Sequence, residues 1–218
     1  GSHVGVIVLA GGQGRRFGGD KLGADLGGRP LLDHLLDDLP ESWPVVCVGP
    51  VRATRRPVVW VRERPPGGGP VAGIAAGLEA VPDGIDHVLV LAGDLPRGGA
   101  VARLLVAAHA GHAGPDADAV AAVEDGSTDE RQGRPPDTSA GSAGVLPNPL
   151  AVLYARRALT RALPDEPAGQ AARSLLGRVT VRTVPMAAEL LADVDTRDDL
   201  RAAGTPIWDE PAPGGPRK

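Results

Sequence analysis

The sequence predicts an α/β fold in which a single, mostly parallel sheet is flanked by helices. Short apolar runs alternate along the chain with segments of helical spacing, an order typical of parallel strands joined by crossover helices. The apolar runs are nearly continuous, as expected for strands that are buried on both faces. A chain of 218 residues, 42% of them hydrophobic, is long enough to bury such a sheet.

The first predicted strand runs from Val4 to Ala10, is rich in β-branched residues and ends in a glycine pair. Similar runs predict strands over 44–49, 58–62, 87–92, 117–123, 150–154 and 178–184. Helical spacing predicts helices over 31–39, 71–81, 99–110, 155–163, 170–176 and 198–203. No internal repeat is visible.

The domain organisation follows from where this pattern stops. We expect one domain over 4–203, preceded by a tag remnant at 1–3. Within it, 125–144 is rich in Ser, Thr, Asp, Gly, Pro and Arg and predicts a mobile loop. The segment 204–218 contains four prolines and predicts a flexible tail.

The composition excludes several classes of partner. A formal net charge of −4 gives no positive field for nucleic acid or an anionic membrane, and 2% aromatic residues give no stacking platform for single strands. No apolar stretch reaches the ~20 residues that span a bilayer. The single cysteine, Cys47, cannot form an intramolecular disulfide, which suits a reducing compartment, and we expect a cytoplasmic protein.

The loop from Leu9 to Lys21 is the strongest candidate for ligand binding, because it holds five glycines and three cations directly after the first strand. Glycine N–H groups can converge on an anion, and Arg16 and Lys21 can supply charge to a polyphosphate. Lys21 stands out because 21 of the 23 basic residues are arginines. The loop is not a P-loop, because Leu22 follows Lys21 where a P-loop has Ser or Thr. It is not a dinucleotide fingerprint either, because Phe17 stands where that motif has its third glycine. The alternative is a flexible loop with solvated charges.

Acidic residues at two later positions predict a metal site. Asp94 follows the apolar run 87–92, so it lies at the edge where parallel strands end, and a carboxylate-held Mg²⁺ there would neutralise phosphate oxygens. Asp193 and Asp195 are two residues apart, so an extended backbone puts both on one face. The alternatives are helix caps, by Asp94 for the following helix and by Asp195 or Thr196 for the last one.

A further glycine-proline segment precedes the helix predicted over 71–81. Pro70 suits the first turn of a helix, where its missing N–H costs nothing, and the free N–H groups of that turn can face a base or a phosphate. Any connection between a strand and a helix can also use glycine and proline.

These segments resemble the MobA-like nucleotidyltransferases, the family of molybdenum cofactor guanylyltransferase. The family's opening Leu-Ala-Gly-Gly, followed by Arg, an apolar residue, Gly and Lys, matches Leu9 to Lys21, with Arg16 at the Arg position. The later family segments match 28–32, 69–73, Asp94 with Pro96, and, more weakly, 193–196. The resemblance is strong over 4–96 and weaker over 148–200.

The resemblance implies a Rossmann-like fold of the glycosyltransferase-A type and a Mg²⁺-dependent transfer of GMP from GTP to the phosphate of molybdopterin, with pyrophosphate as the other product. It implies Arg16, Lys21 and Asp94 as catalytic residues, and Asp94 with Asp195 as metal ligands, Asp193 being less favoured. The implied nucleotide-binding residues, to which we add Glu63 as an acceptor for the guanine edge, are Leu9, Ala10, Gly11, Gly12, Gly14, Arg16, Lys21, Glu63, Gly69, Pro70, Gly73 and Asp94.

Several alternatives remain open from the sequence. The glycine segments favour GTP, whereas the acidic pair at 193 and 195 resembles relatives that use CTP. The acceptor could be another phosphorylated compound, or the chain could be a nucleotide-binding module without catalysis. The partners we expect are a nucleoside triphosphate, a molybdopterin-type acceptor and proteins of molybdoenzyme maturation, but neither nucleic acid nor membrane.

Overall fold

The computed structural model describes residues 3–12, 17–113, 116–126 and 146–204, and a seven-stranded sheet forms its centre. The strands are β1 (Val4–Leu9), β4 (Val45–Val48), β5 (Val59–Val61), β6 (His87–Ala92), β7 (Ala119–Glu124), β8 (Ala151–Ala155) and β9 (Val181–Met186). Their spatial order is β5-β4-β1-β6-β8-β7-β9. Within this sheet, β8 runs antiparallel to both neighbours and the other pairs are parallel. The predicted fold class is confirmed.

The helices are α1 (Leu31–Asp37), α2 (Pro70–Ala80), α3 (Gly98–Ala110), α4 (Arg156–Ala162), α5 (Arg173–Leu176), α6 (Ala188–Leu191) and α7 (Arg197–Ala203). Each predicted strand and helix is found, with ends within three residues of the prediction. Within the described residues, no helix is long and apolar enough to cross a membrane. Most of the predicted mobile loop and nearly all of the predicted tail lie outside the described residues.

Two elements escaped the sequence analysis. One is α6, which is four residues long and buries none of its side chains. The other is the short antiparallel pair β2 (Asp25–Leu26) and β3 (Arg29–Pro30). Gly27 and Gly28 join these strands with φ of +60° and +85°. Positive φ at both central residues is the requirement of a type I′ hairpin turn, which glycine meets without strain.

The core lies in two layers, one on each face of the sheet. Val6 and Val8 of β1 pack in the layer that contains α1 and α3, whereas Ile7 packs in the layer that contains α2. This alternation along a strand explains why β1 is apolar at consecutive positions. The sheet is thereby held between helices, and its strand ends are fixed in place.

The carboxyl ends of three parallel strands meet at one edge. Leu9 of β1 pairs with Val48 of β4 on one side and with Ala92 of β6 on the other. Gly49 follows β4 with φ of +150°, and a Cβ there would lie 2.6 Å from the carbonyl carbon of Ala10. Because glycine has no Cβ, the chain can leave β4 this close to β1. The loops after β1, β4 and β6 therefore emerge side by side.

Candidate active site

A lysine from the loop after β1 contacts two acidic residues that are distant in sequence. The Nζ atom of Lys21 lies 2.7 Å from Oδ2 of Asp94 and 3.1 Å from Oδ1 of Asp195. Burial alone would lower the pKa of Lys21, but the hydrogen bonds to Asp94 and Asp195 outweigh it and the pKa is raised. The side chain is therefore an ammonium ion at neutral pH, held at the edge where the strands end.

Backbone contacts bring these acids together. Asp94 directly follows Gly93, whose N–H donates to the carbonyl of Leu9 at 2.9 Å and so keeps the end of β6 against the end of β1. The N–H of Val194 donates to the carbonyl of Asp94 at 3.0 Å. Val194 is buried, so the acids on either side of it are held next to Asp94.

Asp94, Asp193 and Asp195, which we call the three-aspartate cluster, form a candidate metal site. Each offers one carboxylate oxygen, and these oxygens lie within 4.8 Å of one another. Burial, together with the charges of Asp94 and Asp195, raises the pKa of Asp193. A divalent cation would relieve this repulsion, and an all-oxygen donor set suits Mg²⁺. Asp193, which the sequence analysis favoured less, belongs to the cluster along with Asp195.

The turn before α7 shows which residue caps that helix. The hydroxyl of Thr196 accepts a hydrogen bond from the N–H of Asp199, and Asp199 Oδ2 accepts from the N–H groups of Asp195 and Thr196 at 3.0 and 2.7 Å. The hydrogen bonds from Thr196, followed by that from Asp195, lower the pKa of Asp199. Thr196 is therefore the cap, and Asp195 directs its carboxylate to Lys21 instead.

A cavity of about 290 Å³ opens beside Lys21. Six predicted nucleotide-binding residues share its wall with residues that were not predicted, the whole lining being Leu9, Ala10, Gly11, Gly12, Gly19, Asp20, Lys21, Leu22, Arg52 and Asp94. Gly12 has φ of +133° and a Cβ at that position would meet nothing within 4 Å, so its backbone is open to solvent. Gly14 and Arg16 lie outside the described residues.

The other four predicted nucleotide-binding residues do not line this cavity. Glu63 accepts a hydrogen bond from the N–H of Gly67 at 2.9 Å, and Gly69, with φ of +88°, precedes Pro70 at the start of α2. Gly73 lies within α2, where a Cβ would come 3.1 Å from Leu9 Cδ2, so it allows close packing of α2 on β1. Contact of these residues with a nucleotide stays a prediction.

The sequence analysis missed Arg52, which follows β4. Its guanidinium pairs with Asp20, and this hydrogen bond is the first cause of the lowered pKa of Asp20. Its Nε is buried without a hydrogen-bond partner in the described structure. Because β4 ends beside β1, the same rule that pointed to Asp94 could have pointed to Arg52.

Several known proteins resemble parts of this chain. The MobA-like NTP transferase domain matches residues 6–184. Molybdenum cofactor guanylyltransferase of Rhizobium johnstonii is 40% identical over 98 residues, which are 44% of this chain and 46% of that protein. The enzyme of the same name from Acidiphilium cryptum is 37% identical over 103 residues, which are 44% and 53%. The chain thus spans about half the length of these relatives.

Solved structures show the same fold. Molybdopterin-guanine dinucleotide biosynthesis protein A from Archaeoglobus fulgidus superposes with a TM-score of 0.60 at 24% identity, over 91% of this chain and 96% of that one. The 2-C-methyl-D-erythritol 4-phosphate cytidylyltransferase from Thermus thermophilus gives 0.60 at 22% identity, over 93% and 97%. The resemblance seen in the sequence is confirmed: this chain belongs to the MobA-like NTP transferase family.

Proposed function

We propose that this chain is a Mg²⁺-dependent nucleotidyltransferase that moves GMP from GTP to the terminal phosphate of molybdopterin. The observation that carries the proposal is the contact of Lys21 with Asp94, at 2.7 Å, beside a cavity lined by Gly11 and Gly12. A cationic, glycine-lined wall suits a triphosphate, and an acidic cluster at its edge suits the metal that accompanies it.

The donor half of the site would work through charge and position. The N–H groups of the open loop at Gly11 and Gly12 can face phosphate oxygens, and the ammonium of Lys21 adds a full charge to the same cavity. We expect Arg16, from the same loop, to contact the triphosphate as well. These groups would compensate the negative charge that develops on the leaving pyrophosphate.

The three-aspartate cluster would hold Mg²⁺, which when bound supplies charge neutralisation and alignment of phosphate oxygens. In the reaction, an oxygen of the acceptor phosphate forms a bond to the α-phosphorus of GTP. The bond from that phosphorus to the bridging oxygen of the β-phosphate breaks, and its electron pair leaves with pyrophosphate. No covalent enzyme intermediate is needed, so positioning and electrostatics account for catalysis.

GTP is the donor that the sequence supports best. The opening glycine loop and the segment 69–73 both resemble the guanylyl branch of the family, and the matched relatives are named guanylyltransferases. The cytoplasmic location and the contacts with molybdoenzyme maturation proteins stay predictions from the sequence.

Pyrophosphate release with GTP, Mg²⁺ and molybdopterin tests this proposal directly. Replacing Asp94 by Ala should lower turnover by at least about 100-fold, because a charge-stabilising group in the transition state is lost. Asp83→Ala is the matched control, since the Asp83 side chain is fully exposed and lies outside the cluster and the cavity beside Lys21. Normal turnover by Asp94→Ala would overturn the mechanism.

Thermal shifts with GTP, CTP, ATP and UTP identify the donor, because a bound ligand raises the melting temperature by mass action. We expect the largest shift with GTP and Mg²⁺. Stabilisation by GTP without turnover on any phosphorylated acceptor would instead favour a nucleotide-binding module, and a larger shift with CTP would overturn the assignment of the donor.

A further inference from the structure

A second cavity also reaches the three-aspartate cluster. Its volume is about 590 Å³, within the range of small-molecule sites. Asp193 lines this cavity, whereas Asp94 lines the smaller cavity beside Lys21. Because carboxylate oxygens of Asp94 and Asp193 lie within 4.8 Å of each other, the two cavities adjoin at the cluster.

Arg97 is a cation in this second cavity without a partner. It follows Pro96 at the start of α3, is half-buried and lines the cavity. Its guanidinium makes no hydrogen bond and no ion pair with any residue in the described ranges. Partial burial removes water from a charged group at a cost that a bound anion would offset.

The other basic side chains of this cavity are already engaged. Arg29 donates from Nη1 to Asp37 Oδ2 at 2.9 Å, and its Nη2 lies 3.2 Å from Nδ1 of His34. His34 Nε2 lies 2.6 Å from the carbonyl oxygen of Leu26. Among the described residues that line this cavity, Arg97 is therefore the arginine whose guanidinium has no partner.

The rest of the lining limits what the ligand can be. Asp38, Glu189, Asp193 and Asp199 also line the cavity, so an anionic group is favoured close to Arg97 and disfavoured near these four carboxylates. Apolar wall is supplied by Leu26, Pro96, Ala192, Val194 and Ala202. This combination fits a molecule that places an anionic group at Arg97 and another part against the apolar wall.

We infer that this cavity is the acceptor subsite and that Arg97 binds the phosphomonoester of the acceptor. The inference rests on the proposed function for the identity of the acceptor. A guanidinium can hold a phosphate by two parallel hydrogen bonds, which fixes its orientation as well as its position. The acceptor phosphate would thus reach the cluster from the cavity that Asp193 lines.

The test compares the binding of molybdopterin with that of the same pterin after removal of its phosphate, without nucleotide, on the whole chain. Wild-type protein should prefer the phosphorylated form by about tenfold, the worth of a charge-assisted contact. Arg97→Gln should abolish this preference, and Arg97→Lys should keep part of it. Arg173→Gln is the control, because Arg173 is exposed and lies outside both cavities.

These outcomes test the role of Arg97 separately from the proposed nucleotidyl transfer. A preference retained by Arg97→Gln, or absent from the wild-type protein, overturns the role of Arg97. A preference that depends on Arg97 in a protein that releases no pyrophosphate would support the subsite and reject the proposed reaction. Thermal stabilisation by GTP and Mg²⁺ should be the same for Arg97→Gln and wild type, and a loss there would show that Arg97 acts on the donor or on folding instead.

Discussion

The Nζ atom of Lys21 lies 2.7 Å from Oδ2 of Asp94, so an ammonium ion contacts a carboxylate that also fits a divalent cation. The same Nζ lies 3.1 Å from Asp195, a second member of the three-aspartate cluster. Two positive charges that share the same carboxylates repel each other. Lys21 and a metal ion therefore compete for the cluster until phosphates provide another partner for the lysine.

This competition predicts opposite effects on the two ligands when Lys21 is replaced. In the nucleotide-free protein, Lys21→Met should bind Mn²⁺ several-fold more tightly, because the competing charge is removed while the side-chain volume is kept. The same variant should bind GTP more weakly. Titration with Mn²⁺ followed by electron paramagnetic resonance measures the first effect, and Lys21→Arg, which keeps the charge, is the control. Unchanged Mn²⁺ affinity in Lys21→Met would contradict the competition.

A second prediction concerns the cap of α7. Thr196→Ala removes the hydroxyl that accepts from the N–H of Asp199, which should lower the free energy of unfolding by about 1 kcal/mol. The metal affinity should fall as well, because Asp199 also holds the backbone of Asp195. Thr196→Ser keeps the hydroxyl and should retain both properties. Thermal melts with and without Mn²⁺ separate the two effects, and a variant that loses stability but keeps full metal affinity would show that the cap does not position Asp195.

The sequence alone predicts the fold and the placement of Lys21 and Asp94, which form the first half of the site. The apolar strands predict a parallel sheet, and the edge at which such strands end places Lys21 and Asp94 on neighbouring loops. The hairpin at Gly27 and Gly28 was missed, although paired glycines between short strands are a known turn signal, because its two-residue strands are too short for a periodic pattern.

The second half of the site depends on contacts that no local pattern encodes. The bond from the N–H of Val194 to the carbonyl of Asp94 joins segments about 100 residues apart, and it brings Asp193 into the cluster along with Asp195. No signal in the sequence indicated that Gly73 lies where α2 packs on Leu9, and its contact with a nucleotide stays a prediction. A glycine needed for close packing and a glycine needed for a ligand look the same in a single sequence.

A third prediction is a pH dependence at the opposite end of β6. The rings of His87 and His109 lie 4.4 Å apart, and burial, followed by the charge of His109, lowers the pKa of His87. The charges of Asp86 and Asp116 raise the pKa of His87 and that of Arg157 lowers it, but the net shift is downward. The unfolded chain therefore binds a proton more readily than the folded one.

The lowered pKa of His87 determines how the stability of the protein should change with pH. The contribution of His87 to stability is fully present above the ordinary histidine pKa of about 6.5 and declines as the pH falls below it toward the lower folded value. Between pH 7.5 and 5.5, the melting temperature of the wild-type protein should fall more steeply than that of His87→Gln. His112→Gln is the control, because His112 is exposed. Equal slopes for wild type and His87→Gln would show that another group causes the loss.

The last prediction tests how closely α2 must approach the sheet. A Cβ at Gly77 would lie 2.6 Å from Cγ2 of Ile7, which is fully buried in β1. Alanine gains about 1 kcal/mol over glycine within a helix, but an overpacked core loses about 1–3 kcal/mol. Because Ile7 is enclosed and cannot move aside, the loss should prevail, and Gly77→Ala should melt below the wild type.

The control for this prediction is Gly177→Ala, after α5. There the added Cβ would meet the carbonyl oxygen of Ser174 at 3.6 Å, an ordinary contact, and the backbone conformation suits alanine. We expect this variant to melt at or slightly above the wild-type temperature, since alanine restricts the unfolded chain. If Gly77→Ala matched it, α2 would have room to shift on β1, and the position of the glycine loop that follows β1 would not depend on this contact.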